Sequence, residues 1–263
     1  DVFTNVMPIW DMGEGLLELF DSRGMRRMIS YLDKRRKLYL GIFAIGFVAG
    51  YPVAEMIIEW LLESDGYIPE GVAVIILHPL EVVLLQLRIA AQIAFGLTIA
   101  TIILDLSWSG SRAFSDATAR LSSNEGALGA VKAMLAISAL GTMGLAYAHN
   151  VLIPFLLEYL AEDTAASGLQ STWQLQSWVG FVTGLYFSSI LGFQVPVIAV
   201  LLLRTGLVER NTIVENRGAI WFAALFLGAL ISPPDPISLF LVGGPMLVLL
   251  EIALLYEGAT QRA

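Results

Sequence analysis

The chain has 263 residues, of which 57% are hydrophobic and only 14% are charged, and its mean hydropathy is +0.73. An apolar share this far above the about 45–50% of soluble domains predicts that most of the chain lies in lipid. The absence of cysteine, the presence of only two histidines and the net charge of −8 exclude disulfides and His/Cys metal clusters and argue against a nucleic-acid partner, so no cofactor is expected.

The first residues precede the apolar segments. Asp1 stands where an initiator Met would be expected, and no signal-peptide pattern follows it, so we expect an excised piece or a processed product. Residues 1–30 are predicted to form either an amphipathic helix in the membrane interface or a plain linker. A membrane domain over 31–257 and a short cytoplasmic tail over 258–263 are predicted to follow.

Six apolar segments are candidate transmembrane helices, because about 20 apolar residues cross a bilayer. They are Tyr39–Leu62, Glu81–Leu106, Ala130–Leu160, Trp178–Leu203, Gly218–Ile231 and Ile237–Tyr256. The fifth holds about 14 residues, roughly 21 Å as a helix, against a hydrocarbon core of about 30 Å. The sequence therefore predicts an all-α integral membrane protein whose fifth helix relies on local thinning or on longer neighbours.

Basic residues fall on alternate connections. The N-terminal segment and the connections after spans two and four carry Lys or Arg. The connections after spans one, three and five carry Asp or Glu and no Lys or Arg. Cytoplasmic flanks hold the positive excess, so we expect six crossings with both termini in the cytoplasm. In the last outer turn, Pro233 and Pro234 are predicted to end the fifth helix. Asp235 would then cap the sixth helix, with Pro236 at its first position.

Polar side chains inside the spans are candidate functional residues, because an ionisable group there costs about 2.5–3.5 kcal/mol to insert. The set is Glu55, Glu59, Glu81, Arg88, His149, Asn150, Gln194 and Glu251. Structural alternatives exist. Glu81 lies near a span end and would reach outer head groups, whereas Arg88 would pair with a carboxylate or extend to the cytoplasmic side. Gln194 would satisfy carbonyls that Pro196 frees, and Glu251 is either functional or a contact between helices.

The sequence carries no pattern for phosphate, dinucleotide or zinc chemistry and no nucleophile motif, so we expect no enzyme. A secondary transporter of a small solute is the alternative, with Glu81, Arg88, His149 and Glu251 lining a midplane site. Against this alternative, six spans without an internal repeat differ from the paired-repeat plan of many carriers.

Several stretches resemble the TatC family, the multispanning subunit of the twin-arginine protein translocase. They are "YLDKRRKLY", "HPLEVVLLQLR", "GLAYAHNVLIPFLLEYL", "GFQVPVIAVLLLRTGLV" and "LISPPDPISLFLVGGPMLVLLEIALLYE". The resemblance runs from about residue 30 to 257 and is most specific near the C-terminal end, where FxxPV, PPD and PMxxLxE occur in order. It implies six tilted helices in a curved wall around a concave pocket, with the last two helices short.

The resemblance also implies an activity. TatC binds the twin-arginine signal peptides of folded cargo and recruits the single-span partners TatA and TatB, and export across the cytoplasmic membrane runs on the proton-motive force. Here Asp33 stands at the position of the signal-binding Glu of the family. Ala119 replaces a second cytoplasmic Glu before Arg120, and Gln194 replaces an intramembrane Glu. His149 falls where the family often has an aromatic residue.

The absence of two family carboxylates leaves two roles open. In the first, the chain binds signal peptides through Asp33 and Arg120, since guanidinium groups pair well with anionic ligands. In the second, it is a scaffold that docks TatA and TatB beside another TatC copy or a fused second TatC unit. The acidic excess is also typical of proteins from salt-adapted organisms, some of which carry two TatC units fused in one polypeptide.

Overall fold

The described part of the chain is almost entirely helical. The computed structural model describes residues 23–64, 66–69, 72–114, 123–168, 172–204, 218, 221–222 and 236–260. In chain order the elements are α1 (Arg23–Glu63), β1 (Ala73–Ile75), α2 (Glu81–Phe114), α3 (Ser123–Tyr147), a π-helical turn (Ala148–Leu152), α4 (Ile153–Ala166), β2 (Thr172–Gln174), α5 (Leu175–Gly192), α6 (Val195–Arg204) and α7 (Pro236–Thr260).

Four helical stretches in the described residues are long and apolar enough to cross a membrane. They are Met28–Glu63, Glu81–Trp108, Val131–Thr164 and Leu175–Arg204. These stretches match the first four predicted spans, and the prediction of long apolar helices there is confirmed. The fifth predicted span falls almost wholly outside the described residues. The sixth lies within α7, which contains a shorter apolar helix over Gly243–Leu255.

The predicted domain limits stay a prediction, although the helices bear on them. α1 begins at Arg23, ahead of the predicted domain start at residue 31. α7 continues to Thr260, beyond residue 257. A hydrogen bond of 2.8 Å from the hydroxyl of Tyr147 to the carbonyl oxygen of Leu241 ties α7 to α3.

Small residues let α1 and α2 pack closely. A Cβ added at Gly46 would lie 3.2 Å from the Cα of Ala94, and one added at Gly50 would lie 3.2 Å from the Cα of Ala90. Both pairs are spaced four residues apart, so each forms a stripe on one helix face. Lipid tails are as apolar as leucine, so close packing of this kind, rather than transfer out of water, holds such helices together.

Two short strands join the connections at one end of the bundle. β1 and β2 pair in parallel, with Ala73 opposite Thr172 and Ile75 opposite Gln174. We call this end, where α2 and α5 begin, the ladder face, and the opposite end the Asp105 face. The larger core cluster lies in the half next to the ladder face and includes Leu61, Leu85, Leu152 and Val182.

Prolines interrupt the third and fourth long stretches. Pro154 has no N–H for the carbonyl of Asn150, and the preceding N–H, of Ile153, bonds to Ala148 in a π-helical step. Pro196 lies in the first turn of α6, just after α5 ends at Gly192. The helix break expected beside Pro196 is therefore present.

Candidate functional site

Asp33 lies on α1 at the Asp105 face and is accessible. Its side chain is 66% exposed, and one carboxylate oxygen accepts a hydrogen bond of 3.3 Å from Arg36. An exposed pair of this kind contributes at most about 1 kcal/mol, so an incoming cation can compete with Arg36. Arg120 and Ala119, the other predicted signal-binding position and its neighbour, fall outside the described residues.

A second carboxylate at this face, that of Asp105 of α2, is almost buried, and both of its oxygens accept hydrogen bonds. Its side chain is 12% exposed. It accepts hydrogen bonds from Tyr39 at 2.7 Å, from Tyr31 at 3.1 Å and from Arg35. The guanidinium of Arg35 also lies 5.2 Å from the centre of the Tyr31 ring. This Asp105 cluster pins the start of α1 to the end of α2.

The Asp105 cluster and Asp33 occupy different sides of α1. Tyr31, Arg35 and Tyr39 are spaced four apart and share one helix face. Asp33 is two residues from Tyr31 and from Arg35, which is roughly 200° around the helix axis. The sequence interpretation missed Asp105. The sequence does contain a signal for this cluster. Tyr31, Arg35 and Tyr39 form a stripe of hydrogen-bond donors on α1, and the apolar segment of α2 is followed by an acid, Asp105.

Glu81 is a buried structural acceptor at the ladder face. It is 1% exposed. Its Oε1 atom accepts hydrogen bonds from the amides of Leu77 at 3.0 Å and His78 at 2.9 Å, and from the side chain of Gln174 at 2.7 Å. The expectation that Glu81 reaches head groups is therefore wrong, because the carboxylate instead ties the start of α2 to β2.

Arg88 lies on the surface of α2 against the backbone of α5. A Cβ added at Gly180 would be 2.5 Å from its Nη1 atom, so the guanidinium occupies the space that a side chain there would fill. It forms no ion pair with any carboxylate of the described residues, so pairing with a carboxylate is not observed there. Gly180 lies near the start of α5, so the guanidinium is directed toward the ladder face, and extension to the cytoplasmic side stays a prediction.

His149 lies in the π-helical turn and belongs to a hydrogen-bonded triangle. Its Nδ1 atom is 2.8 Å from the hydroxyl of Tyr67 and 2.9 Å from that of Tyr186, and the two hydroxyls are 2.5 Å apart. Tyr67 belongs to the connection between α1 and β1 and is 5% exposed. Its carbonyl accepts a hydrogen bond of 3.1 Å from Trp178. The triangle thus anchors this connection to two spans.

A pocket of about 680 Å³ opens between α1, α2, α3 and α5. Most of its lining is apolar. The polar side chains that line it are Gln92, Thr142, His149, Asn150, Thr183 and Tyr186. A concave, apolar site with a few polar groups is suited to an apolar ligand or to a helix that carries a polar residue. The predicted transporter site consisted of Glu81, Arg88, His149 and Glu251. Of these four residues, only His149 lines this pocket.

Gln194 is buried at the break between α5 and α6 and is 4% exposed. Its backbone N–H bonds to the carbonyl of Leu191, three residues back, which leaves the carbonyl of Ile190 without its usual α-helical donor. The side-chain amide of Gln194 takes that place at 3.3 Å and also donates to Ile137 of α3 at 3.3 Å. The amide therefore donates to a carbonyl freed at the break, but that carbonyl belongs to Ile190, whereas the one that Pro196 itself leaves without a donor is that of Gly192.

Glu55 and Glu59 are exposed on α1, and the other remaining predicted residues lie at the C-terminal end. Glu251 of α7 accepts a hydrogen bond of 3.3 Å from the indole of Trp221, so it contacts another part of the chain. α7 begins at Pro236. Pro233, Pro234 and Asp235 fall outside the described residues, and the proposed helix cap stays a prediction.

These features define a multispanning α-helical membrane protein with a concave pocket between four of its described helices. A family model described as "Sec-independent protein translocase protein (TatC)" matches residues 28–245. The chain therefore belongs to the TatC family.

Two relatives and one solved structure illustrate the similarity. TatC of Escherichia coli strain K12 is 32% identical over 127 residues, which are 48% of this chain and 49% of that protein, so the match spans about half of that relative. TatCy of Bacillus subtilis strain 168 is 26% identical over 234 residues, 89% of this chain and 88% of that protein. A crystal structure of the twin arginine translocase receptor TatC matches with a TM-score of 0.65 at 20% identity, over 87% of this chain and 96% of that chain.

Proposed function

We propose that the chain is a core subunit of the twin-arginine translocase. It binds the signal peptides of folded proteins at its Asp105 face and docks TatA- and TatB-type single-span partners for export driven by the proton-motive force. The observation that carries this proposal is the match to the TatC family model over residues 28–245. The distribution of Lys and Arg supports six crossings of the cytoplasmic membrane, with the ladder face outside and both termini in the cytoplasm.

Asp33 is the proposed ligand for a signal-peptide arginine. Its carboxylate is exposed, and a planar guanidinium can donate two parallel hydrogen bonds to it. The residues that follow, Lys34, Arg35, Arg36 and Lys37, are all basic, and their repulsion weakens binding of a second arginine. This local charge is the observation that favours the scaffold role, in which another TatC copy or a fused unit provides the main receptor site.

Photocrosslinking of an Arg-Arg signal peptide to the chain in membranes tests the receptor role. We expect crosslinking to fall about tenfold or more in Asp33→Ala, since a charge-assisted hydrogen bond contributes about 1.5–3 kcal/mol. Asp33→Glu should retain it. Glu63→Ala, which removes an exposed acid at the ladder face, is the matched control and should not change it.

The outcome separates the two roles. Equal crosslinking of wild type and Asp33→Ala would exclude Asp33 as the arginine ligand and leave the scaffold role. That role requires co-purification of a single-span amphipathic partner with the chain. If neither the signal peptide nor such a partner binds, the proposed function is wrong.

A further inference from the structure

Arg88 is an exposed cation at an unusual depth. It lies seven residues into α2, within a stretch that is apolar enough to cross a membrane. At about 1.5 Å per residue, its Cα lies about 10 Å from the start of the helix. An arginine at this depth is costly unless an anion or water compensates its charge.

The described part of the chain does not supply this anion. Arg88 forms no ion pair there. The acid on a nearby face of α2, Glu81, is buried: its Oε1 atom is bonded to β2 and to the turn before α2, its Oε2 atom has no hydrogen-bond partner among the described residues, and neither oxygen forms an ion pair with Arg88. The large exposed neighbours of Arg88 along α2 are apolar: Leu84, Leu87 and Phe95. An anion that pairs with Arg88 therefore comes from outside the described residues.

Two glycines of α5 form a seat for the guanidinium. Its Nη1 atom would be 2.5 Å from a Cβ at Gly180, and its Nη2 atom would be 3.8 Å from a Cβ at Gly184. The Cα–Cβ bonds of α2 tilt toward its N-terminus, so the Arg88 side chain inclines toward the ladder face. Gly180 and Gly184 thus leave space in which the N–H donors of Arg88 lie between α2 and α5, on the side of the ladder face.

We propose that Arg88 binds the phosphodiester of a phospholipid in the leaflet at the ladder face. A guanidinium matches phosphate in charge and in bidentate geometry. Further from the ladder face than Arg88, the rings of Phe95 on α2 and Phe187 on α5 lie 6.1 Å apart, across the same contact between these two helices. Phe95 is 49% exposed and offers an apolar surface to the acyl chains of that lipid.

Native mass spectrometry of the full chain in detergent, with added phosphatidylglycerol, tests this site. We expect wild type to retain one more lipid molecule than Arg88→Gln, with occupancy lowered about tenfold in the variant. Arg88→Lys should have intermediate lipid occupancy, because lysine keeps the positive charge but lacks the two parallel N–H donors of the guanidinium. Gly180→Ala should also lower occupancy by displacing the guanidinium, whereas Gly41→Ala, which has open space around its Cβ, should not.

Diacylglycerol, which has the same acyl chains and no phosphate, is the control lipid. Equal retention of phosphatidylglycerol by wild type and Arg88→Gln, or retention of diacylglycerol at the same site, would overturn the proposal. It would also be overturned if Arg88→Gln changed only the oligomeric state, which would assign the guanidinium to a carboxylate of a second copy. If Arg88→Gln does not fold, Arg88→Lys and Gly180→Ala decide the question.

Discussion

Removal of one phenolic hydroxyl from the triangle of Tyr67, Tyr186 and His149 tests how the connection at the ladder face is held. The three polar atoms lie within 2.5–2.9 Å of one another. Two hydroxyls supply two protons, and neutral histidine has one acceptor nitrogen. If Nδ1 accepts, both hydroxyl protons find a partner. If Nδ1 carries the proton, one hydroxyl proton is left unpaired in an apolar setting, so we expect Nδ1 to be the acceptor.

This proton count gives the magnitudes. In Tyr67→Phe the hydroxyl of Tyr186 can still donate to Nδ1, and in Tyr186→Phe the hydroxyl of Tyr67 can, so each single variant loses one hydrogen bond. Hydrogen bonds between membrane helices average about 0.6 kcal/mol. Each single change should lower the free energy of unfolding by about 0.6 kcal/mol. The double variant should lower it by about 1.2 kcal/mol or more, since Nδ1 then has no donor.

Reversible denaturation of the purified chain in mixed micelles measures these differences as a double-mutant cycle. Tyr159→Phe is the matched control, because the hydroxyl of Tyr159 forms no hydrogen bond with the described residues, and it should change the free energy by less than about 0.5 kcal/mol. A double variant that loses clearly less than the sum of the single variants would refute this count of hydrogen bonds. Single variants with no effect would show that the triangle does not hold the connection.

Three further substitutions should lower the free energy of unfolding in the same assay. Asp105→Asn removes the charge that holds three donors and should cost about 1–2 kcal/mol; an unchanged value would contradict a pinning role. Gly144→Ala places a Cβ 2.9 Å from a backbone oxygen and should cost about 1–3 kcal/mol, whereas Gly41→Ala, with open space around its Cβ, should not lower the free energy of unfolding. Gln194→Leu removes two interactions with backbone carbonyls and should cost about 1 kcal/mol; a stabilised variant would contradict the account of the helix break.

The long helices could be predicted from the sequence because their determinants are local. An uninterrupted apolar window and its length identify a span, and a proline identifies its break, as at Pro196. The pairing of β1 with β2 could not be predicted in this way. Each strand has only three residues, and their partners are separated by almost a hundred positions in the chain. No periodic pattern marks such short strands.

The same distinction applies to the candidate site. His149 was identified because a polar residue inside a span is conspicuous, whereas its partners Tyr67 and Tyr186 were not, since tyrosine is common in apolar sequence and at membrane surfaces. Asp105 was missed because an acid near the end of a span has an ordinary explanation in the head groups. Only the tertiary structure shows that three side chains of α1 enclose it.

Gln194 shows why a polar residue in a span need not face a ligand. The break before Pro196 leaves the carbonyl of Ile190 without its backbone donor, and an unpaired carbonyl costs free energy in a medium without water. An amide can donate to this carbonyl at any pH, whereas a carboxylate can donate only when protonated. Glutamine therefore stabilises the break without a titratable group. The resemblance suggested that a functional acid is lost at this position. In this chain the amide of Gln194 instead donates to the carbonyl of Ile190, which the break leaves without its backbone donor, and to the carbonyl of Ile137 on α3, while its Oε1 atom has no partner among the described residues.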